Sequence, residues 1–344
     1  MPRLSASLAG WRGYWATPLV GLAGGYLASL SGWPLPWIIG SLLAVIAVRC
    51  GGGQLRELPG GRKTGQWLVA SAIGLHFTGE VFRELLNNLP VVIAGAGATL
   101  LLSLIGIALL RRSGVDRATA FFASMPGGAS EMVNLAQRND AHIARVAAAH
   151  SLRLLLVVLV IPPLFTWSLP PIAPPAPAMV SWPWLAALLP AGALLALLWG
   201  QLRQPNPWML APLSLCAIAS VSFDLHLGLP PGVSQTGQWL IGCALGCHFD
   251  RGFFRSAPGF LGRIVLFTLL AMLGAGLLAI GLSWLTLQDP QSLMLGMMPG
   301  GITELSLTAE ALHLSVALVT ALQVLRLFLV MFLAEPIFRL WQRH

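Results

Sequence analysis

The sequence predicts an all-α polytopic membrane protein made of two homologous halves. Only 9% of its 344 residues are charged and 56% are hydrophobic, with a mean hydropathy of +0.77. Soluble globular chains carry about 25% charged residues. An eight-residue motif also occurs twice, once in each half of the chain. Apolar stretches near the roughly 20 residues that cross a bilayer core cover residues 15–30, 89–110, 143–162, 184–202, 264–287 and 314–333.

The repetition extends over whole halves of the chain. The window from residue 64 to 77 matches the window from 236 to 249 at 9 of 14 positions. Further equivalent pairs are 34–37 with 205–208, Arg153 with Arg326, and 163–165 with 336–338, and the offsets lie between 171 and 173 residues. Such a nearly constant offset predicts a duplicated unit of about 170 residues. The predicted repeats are residues 1–168 and 183–344, joined by a proline-rich linker at 169–182.

The basic residues predict the topology of these spans. The net charge of +8 does not point to nucleic acid, because Lys and Arg fall in short loops between apolar stretches. Arg3 and Arg12 precede an apolar run as in a signal peptide, but no convincing cleavage site follows before Trp37. We therefore expect an uncleaved first span and a cytoplasmic N-terminus.

The same rule predicts that each repeated motif lies in a re-entrant hairpin. A hairpin keeps Arg138 and Arg145 on the side of the other basic loops, and it places the uncharged linker outside. Each half then has five spans, so the second half is inverted relative to the first and the C-terminus is cytoplasmic. The alternative is a broken full-length helix, which gives six spans per half and parallel repeats.

The motif itself combines a helix breaker with an acid. It reads Met-Pro-Gly-Gly-Ala-Ser-Glu-Met at 125–132 and Met-Pro-Gly-Gly-Ile-Thr-Glu-Leu at 298–305. Proline removes a backbone donor, the glycines allow the chain to turn, and Ser or Thr suits the start of the next helix. The restarted helix would direct free N–H groups into a cavity near the bilayer midplane, which suits an anionic group. The predicted site residues in the two motifs are Pro126, Gly127, Gly128, Ser130, Glu131, Pro299, Gly300, Gly301, Thr303 and Glu304.

The acids and two arginines complete the candidate site. Glu131 and Glu304 either take part in proton or sodium coupling or stabilise the first turn of the restarted helix. Arg153 and Arg326 lie deep in the last span of each half, where a charged group needs a partner. They either pair with the hairpin glutamates or hold an anion bidentately.

Histidines and cysteines do not suggest a metal site or a cofactor. His76 and His248 are equivalent, but no Cys, Asp or Glu accompanies them at metal-ligand spacing. The four cysteines form no Cys-x-x-Cys pair and are expected to be packed thiols. His150 corresponds to Gln323, so a proton relay there would exist in one half only. We expect no metal, no cofactor and no enzymatic activity.

The doubled Met-Pro-Gly-Gly-x-[Ser/Thr]-Glu motif, the Thr-Gly-Gln-Trp blocks and the two equal halves resemble the bacterial AbrB membrane protein family. The resemblance covers essentially the whole chain and implies the inner membrane of a bacterium. Members have carried the label of an ammonia monooxygenase and have been linked to regulation of gene expression. The family is unrelated to the small DNA-binding regulators that share its name.

Together these features favour a secondary transporter. It would move a small, anionic solute by alternating access, coupled to protons or sodium, with the lipid bilayer as its surroundings. The alternative is a membrane regulatory or sensor protein that affects gene expression indirectly, since the loops are too short to hold a DNA-binding domain. A monooxygenase is disfavoured because the histidines form no recognisable cluster. A homodimer is compatible with the sequence.

Overall fold

A computed structural model describes residues 2–168, 179–202 and 204–342, with side chains from residue 13 onward, and it is almost entirely helical. The proline-rich part of the predicted linker lies outside the described residues. The helices are α1 (Pro2–Leu30), α2 (Pro36–Cys50), α3 (Gly61–Leu75), α4 (Gly79–Asn87), α5 (Leu89–Arg111), α6 (Arg117–Ser124), α7 (Ala129–Arg138), α8 (Ile143–Ser168), α9 (Trp182–Gln201), α10 (Pro207–Phe223), α11 (Val233–Gly246), α12 (Arg251–Ser256), α13 (Pro258–Thr286), α14 (Pro290–Met297), α15 (Ile302–Ala311) and α16 (Val316–Gln342).

Five of these helices are long and apolar enough to cross a membrane, which confirms the predicted class. They are α5, α8, α9, α13 and α16, and they contain five of the six apolar stretches found in the sequence. The sixth stretch, residues 15–30, lies within α1. Shorter apolar helices, α2 and α10, occupy equivalent places in the two halves. Proline is the first residue of α2, α10, α13 and α14, where its missing N–H costs no helical hydrogen bond.

The order of long and short helices in α1–α8 is repeated in α9–α16. The compact units of the structure, however, do not coincide with the two halves of the sequence. One unit consists of residues 1–79 and 166–256, and the other of residues 80–165 and 257–344. Each unit therefore takes an equivalent part from each half.

In the first unit, the repeated Thr-Gly-Gln-Trp blocks contact each other. A Cβ on Gly65 would lie 2.7 Å from the carbonyl oxygen of Gly237, and a Cβ on Gly237 would lie 3.0 Å from that of Gly65. Each of the two equivalent tryptophans likewise donates a hydrogen bond to a backbone carbonyl of the other half. Trp67 Nε1 donates to the Leu189 carbonyl, and Trp239 Nε1 donates to the Pro18 carbonyl, each at 3.0 Å. These blocks are thus packing and hydrogen-bonding elements of α3 and α11.

Close glycine contacts also join α1 to α2 in the first unit. A Cβ on Gly24 would lie 2.4 Å from the carbonyl oxygen of Gly40, and a Cβ on Gly40 would lie 2.4 Å from that of Gly24. Small residues let helix backbones approach closely, which is a common source of packing energy between helices in a membrane. The contact requires glycine at both positions.

In the second unit, each motif forms the tip of a helical hairpin. Asp116 caps α6 by accepting a hydrogen bond from Thr119 N at 2.7 Å, and Asp289 caps α14 by accepting one from Ser292 N at 2.8 Å. These caps fix the start of the first helix of each hairpin.

The base of each hairpin is closed by a second hydrogen bond. His142 N, beyond the end of α7, donates to Thr119 Oγ1 near the start of α6 at 2.7 Å. Ser315 N donates to Ser292 Oγ in the equivalent place at 3.0 Å. The chain therefore leaves each hairpin next to where it entered.

Candidate functional site

The two hairpin tips line one cavity in the second unit. Pro126 of the first motif and Pro299 of the second both face it. The equivalent arginines of α8 and α16 line it as well. The remaining lining residues come from α5, α6, α13 and α14, and are Thr99, Leu102, Ser103, Ser124, Phe267, Ala271 and Met297. The structure thus brings together the breaks and the arginines that the sequence selected.

Arg153 holds the first hairpin tip in place. Its Nη1 donates to the carbonyl oxygen of Met125 at 3.1 Å, immediately after the last residue of α6. Its Nη2 lies 2.9 Å from Nδ1 of His150, whose Nε2 is 3.0 Å from the Phe122 carbonyl. The last carbonyls of a helix lack intrahelical donors and carry partial negative charge, so a guanidinium suits this position.

Arg326 does the same for the second hairpin. Its Nη1 donates to the Met298 carbonyl and its Nη2 to the Gly300 carbonyl, both at 2.7 Å. Its Nη2 also donates to Oε1 of Gln323. Nε2 of Gln323 in turn donates to the Gly296 carbonyl at 2.7 Å. The guanidinium groups therefore serve as C-terminal caps of the first helix of each hairpin, a role that neither interpretation of the sequence included.

Each of the two arginines has one nitrogen without a hydrogen-bond partner. Both side chains are buried, and Nε of Arg153 and Nε of Arg326 are buried without a hydrogen-bond partner. An unsatisfied buried donor costs roughly 1–3 kcal/mol, more when it is charged. Both arginines also line one cavity, so an anionic oxygen that reached these donors would satisfy them.

The glutamates of the motif lie over the start of their own helices. Oε2 of Glu131 is 2.0 Å from the position that a Cβ on Gly128 would occupy, and Oε2 of Glu304 is 2.2 Å from that position on Gly301. These glycines are the N-caps of α7 and α15. The protein's own carboxylates thus occupy the positive ends of the two helices.

Two of the motif glycines, Gly128 and Gly301, do not have the role that the sequence predicted. The sequence predicted that they let the chain turn, but Gly128 has φ −62° and Gly301 has φ −89°, which other residues adopt readily. In both places a Cβ would instead meet the carboxylate of the motif glutamate, which lies against the glycine. Ser130 and Thr303, expected as caps, instead lie at the second position of each helix.

The other two motif glycines, Gly127 and Gly300, allow each tip to pack closely against the last helix of the opposite half. A Cβ on Gly127 would lie 2.9 Å from Cγ1 of Val330 in α16, and a Cβ on Gly300 would lie 2.8 Å from Cγ1 of Val157 in α8. The hairpins differ in depth, because Thr303 and Glu304 are buried whereas Ser130 is exposed. The second tip is therefore the more enclosed of the two.

His150 and Gln323 make matching hydrogen bonds, although their side chains differ. In both places an acceptor faces the arginine and a donor faces a carbonyl of the hairpin. A neutral histidine with its proton on Nε2 satisfies this pattern. Because protonation of Nδ1 would remove the acceptor that Arg153 uses, the geometry favours a positioning role over a proton relay.

We expect His150→Gln to keep the wild-type thermal transition temperature, because glutamine supplies the same acceptor and donor in the other half. His150→Leu should destabilise the protein by about 1–3 kcal/mol, since Arg153 and the Phe122 carbonyl each lose a partner. Thermal unfolding of both purified variants checks this. If the leucine variant matched the glutamine variant, the positioning role would be wrong.

The sequence missed the hydroxyl groups of the cavity. Thr99 and Ser103 lie one helical turn apart on α5, and Ser124 ends α6. All three are buried. The sequence could have identified Thr99 and Ser103, because polar residues one turn apart within a predicted membrane span tend to face the protein interior.

The histidines set aside as metal ligands do not line this cavity. Nδ1 of His76 is 2.9 Å from the Ala72 carbonyl in its own helix, and His248 follows the end of α11 in the first unit. Across the described part of the chain, no three His, Cys, Asp or Glu residues are grouped so that they could hold a metal ion.

Comparison with known proteins agrees with the resemblance noted in the sequence. The family model described as "Transition state regulatory protein AbrB" matches residues 37–342. The "Uncharacterized protein YhjN" of Bacillus subtilis (strain 168) is 28% identical over 93% of this chain and 91% of its own length. The "Putative regulator AbrB" of Escherichia coli (strain K12) is 29% identical over 89% of this chain and 90% of its own. The chain, a helical membrane protein with two motif-bearing hairpins, belongs to the AbrB family.

Proposed function

We propose that this protein is a secondary transporter of a small anionic solute, with the cavity between the hairpin tips as its binding site. The observation that carries the proposal is the pair of buried arginines that line one cavity with both Nε donors unpaired. Broken helical elements from two sequence repeats, meeting at a polar cavity, are typical of secondary transporters.

Alternating access accounts for the size of the cavity. It encloses about 10 Å³, which is about the space of one water molecule. An organic anion needs more room, so binding requires a tip to move away from the cavity. Each tip joins two short helices at a break in the chain, so we take the tip to be the part that moves.

We propose that Glu131 and Glu304 couple transport to protons or sodium. Each carboxylate lies where a hairpin helix begins, so its charge affects how the tip sits in the site. The membrane would be the bacterial inner membrane, with both termini cytoplasmic and the two repeats inverted. A regulatory role, suggested by the name of the Escherichia coli relative, would then act through the transported solute or a partner protein.

The double variant Glu131→Gln, Glu304→Gln should lose ion-driven uptake while still folding. Glutamine keeps the size of the side chain but carries no charge and does not titrate. Uptake of labelled malate and lactate into vesicles, driven by a proton or a sodium gradient, measures the effect. Because neither side chain can then carry the coupling charge, we expect accumulation to fall to the level measured without a gradient.

Glu335, a half-buried glutamate outside both hairpins, provides a matched control. It lies on α16 and pairs with Arg339 at the surface, so Glu335→Gln should accumulate both anions like the wild type. Wild-type accumulation by the double glutamate variant would refute the coupling role. Uptake that no gradient drives in any variant would count against transport itself.

A further inference from the structure

The hydroxyl groups of the cavity define a second feature of the ligand. Thr99 Oγ1 donates to the Ala96 carbonyl at 2.7 Å, and Ser103 Oγ donates to the Leu100 carbonyl at 2.5 Å. Ser124 Oγ donates to a carbonyl of α6, also at 2.7 Å. A hydroxyl has one hydrogen and two lone pairs, so these three groups can only accept hydrogen bonds from a ligand.

The arginines provide the opposite chemistry among the residues that line the same cavity. Their free Nε groups can only donate, and they carry positive charge. A ligand that satisfies the whole lining must therefore both accept and donate hydrogen bonds. A plain carboxylate satisfies the arginines but leaves the hydroxyl oxygens without a donor.

The rest of the lining is apolar. Two prolines, a phenylalanine, a leucine, a methionine and an alanine cover the cavity between the polar groups. Apolar walls favour a carbon skeleton and disfavour a fully hydrated inorganic ion.

From these three observations we infer that the ligand is a small organic acid that carries a hydroxyl or amino group close to its carboxylate. The carboxylate binds the Nε groups of Arg153 and Arg326, and the hydroxyl or amino hydrogen is donated to Thr99 or Ser103. The inference rests on the proposed transport site, and it specifies which class of anion that site selects. Sites that use a buried hydrogen bond reject analogues lacking that group much more strongly than apolar pockets reject a missing methylene.

The test compares acids of equal charge that differ by one hydroxyl. L-malate against succinate and L-lactate against propionate are titrated into the purified full-length protein by calorimetry, with inorganic phosphate as a further probe. We expect each hydroxy acid to bind at least about tenfold more tightly than its partner. The Thr99→Val, Ser103→Ala double variant should bind the two acids of each pair equally.

Ser113→Ala is the matched control. Ser113 also donates to a carbonyl of α5, that of Leu110, but it lies beyond the end of the helix and does not line the cavity. This variant should keep the wild-type preference. If the double variant fails to fold, as judged by its thermal transition, the single variants Thr99→Val and Ser103→Ala replace it.

The outcomes separate this inference from the proposed function. Equal binding of each pair by the wild type would overturn the inference but leave an anion site in place. Tight binding of phosphate with no binding of the organic acids would overturn it as well. Binding of no anion by the wild type would count against the proposed function itself.

Discussion

Replacing Arg326 by methionine is expected to abolish anion binding and uptake. The change removes one of the two unpaired Nε donors. It also removes the side-chain donor of the Gly300 carbonyl and one of the two side-chain donors of the Met298 carbonyl, the other being Gln323. Loss of a partner from a buried carbonyl costs about 1–3 kcal/mol. The second hairpin tip should therefore loosen, with a lower thermal transition temperature. Anion titrations and thermal unfolding of the purified variant measure the two effects.

Two further variants separate charge from geometry. Arg326→Lys keeps a positive charge but lacks the planar fork that reaches several acceptors, so we expect it to remain impaired. Arg339→Met removes an exposed arginine from the same helix, and its surface pair with Glu335 contributes less than about 1 kcal/mol. If Arg326→Met bound and transported anions as well as Arg339→Met does, the proposed site would be refuted.

The largest loss of stability is expected from Gly40→Ala in the first unit. The new methyl would lie 2.4 Å from the Gly24 carbonyl oxygen, and this backbone atom cannot rotate away as a side chain could. The two helices must separate, so we expect a loss of about 3 kcal/mol, at the upper end for overpacking. Thermal unfolding of the purified protein, with its yield in the membrane fraction, tests this.

Glycines in open space provide the control. A Cβ on Gly97 or on Gly262 meets no atom within 4 Å, and both residues lie inside helices. Alanine there should be neutral or stabilise the protein by up to about 1 kcal/mol. An unchanged transition temperature for Gly40→Ala would show that the helix contact is more adaptable than the structure indicates.

The sequence predicted the parts of the fold that depend on local pattern and on repetition. Apolar length identified the long helices, and the charge pattern around Arg138 and Arg145 favoured a hairpin over a broken full-length helix. The bond between Thr119 and His142 brings the two ends of the first hairpin together. The motif prolines and the two arginines, which the sequence placed in one candidate site, line one cavity in the structure.

What the sequence could not provide was the set of partners that only folding brings together. Arg153 was expected to pair with a glutamate or an anion, yet its Nη1 donates to the Met125 carbonyl. Every residue has a backbone carbonyl, so the sequence does not show which one will accept a hydrogen bond at a helix end. Gly301 was assigned to turn formation, whereas the Glu304 carboxylate lies against it. The grouping of helices into two units is a property of contacts distant in sequence, which composition and periodicity do not encode.

The interleaving of the two halves has a consequence for biosynthesis. When the ribosome has completed residues 1–168, neither compact unit has all its helices, because each also needs part of residues 166–344. The hydrogen bond from Trp67 Nε1 to the Leu189 carbonyl, for example, can form only after residue 189 has been synthesised. The first repeat is thus inserted as a set of helices without their final neighbours, and both units are completed only late in synthesis.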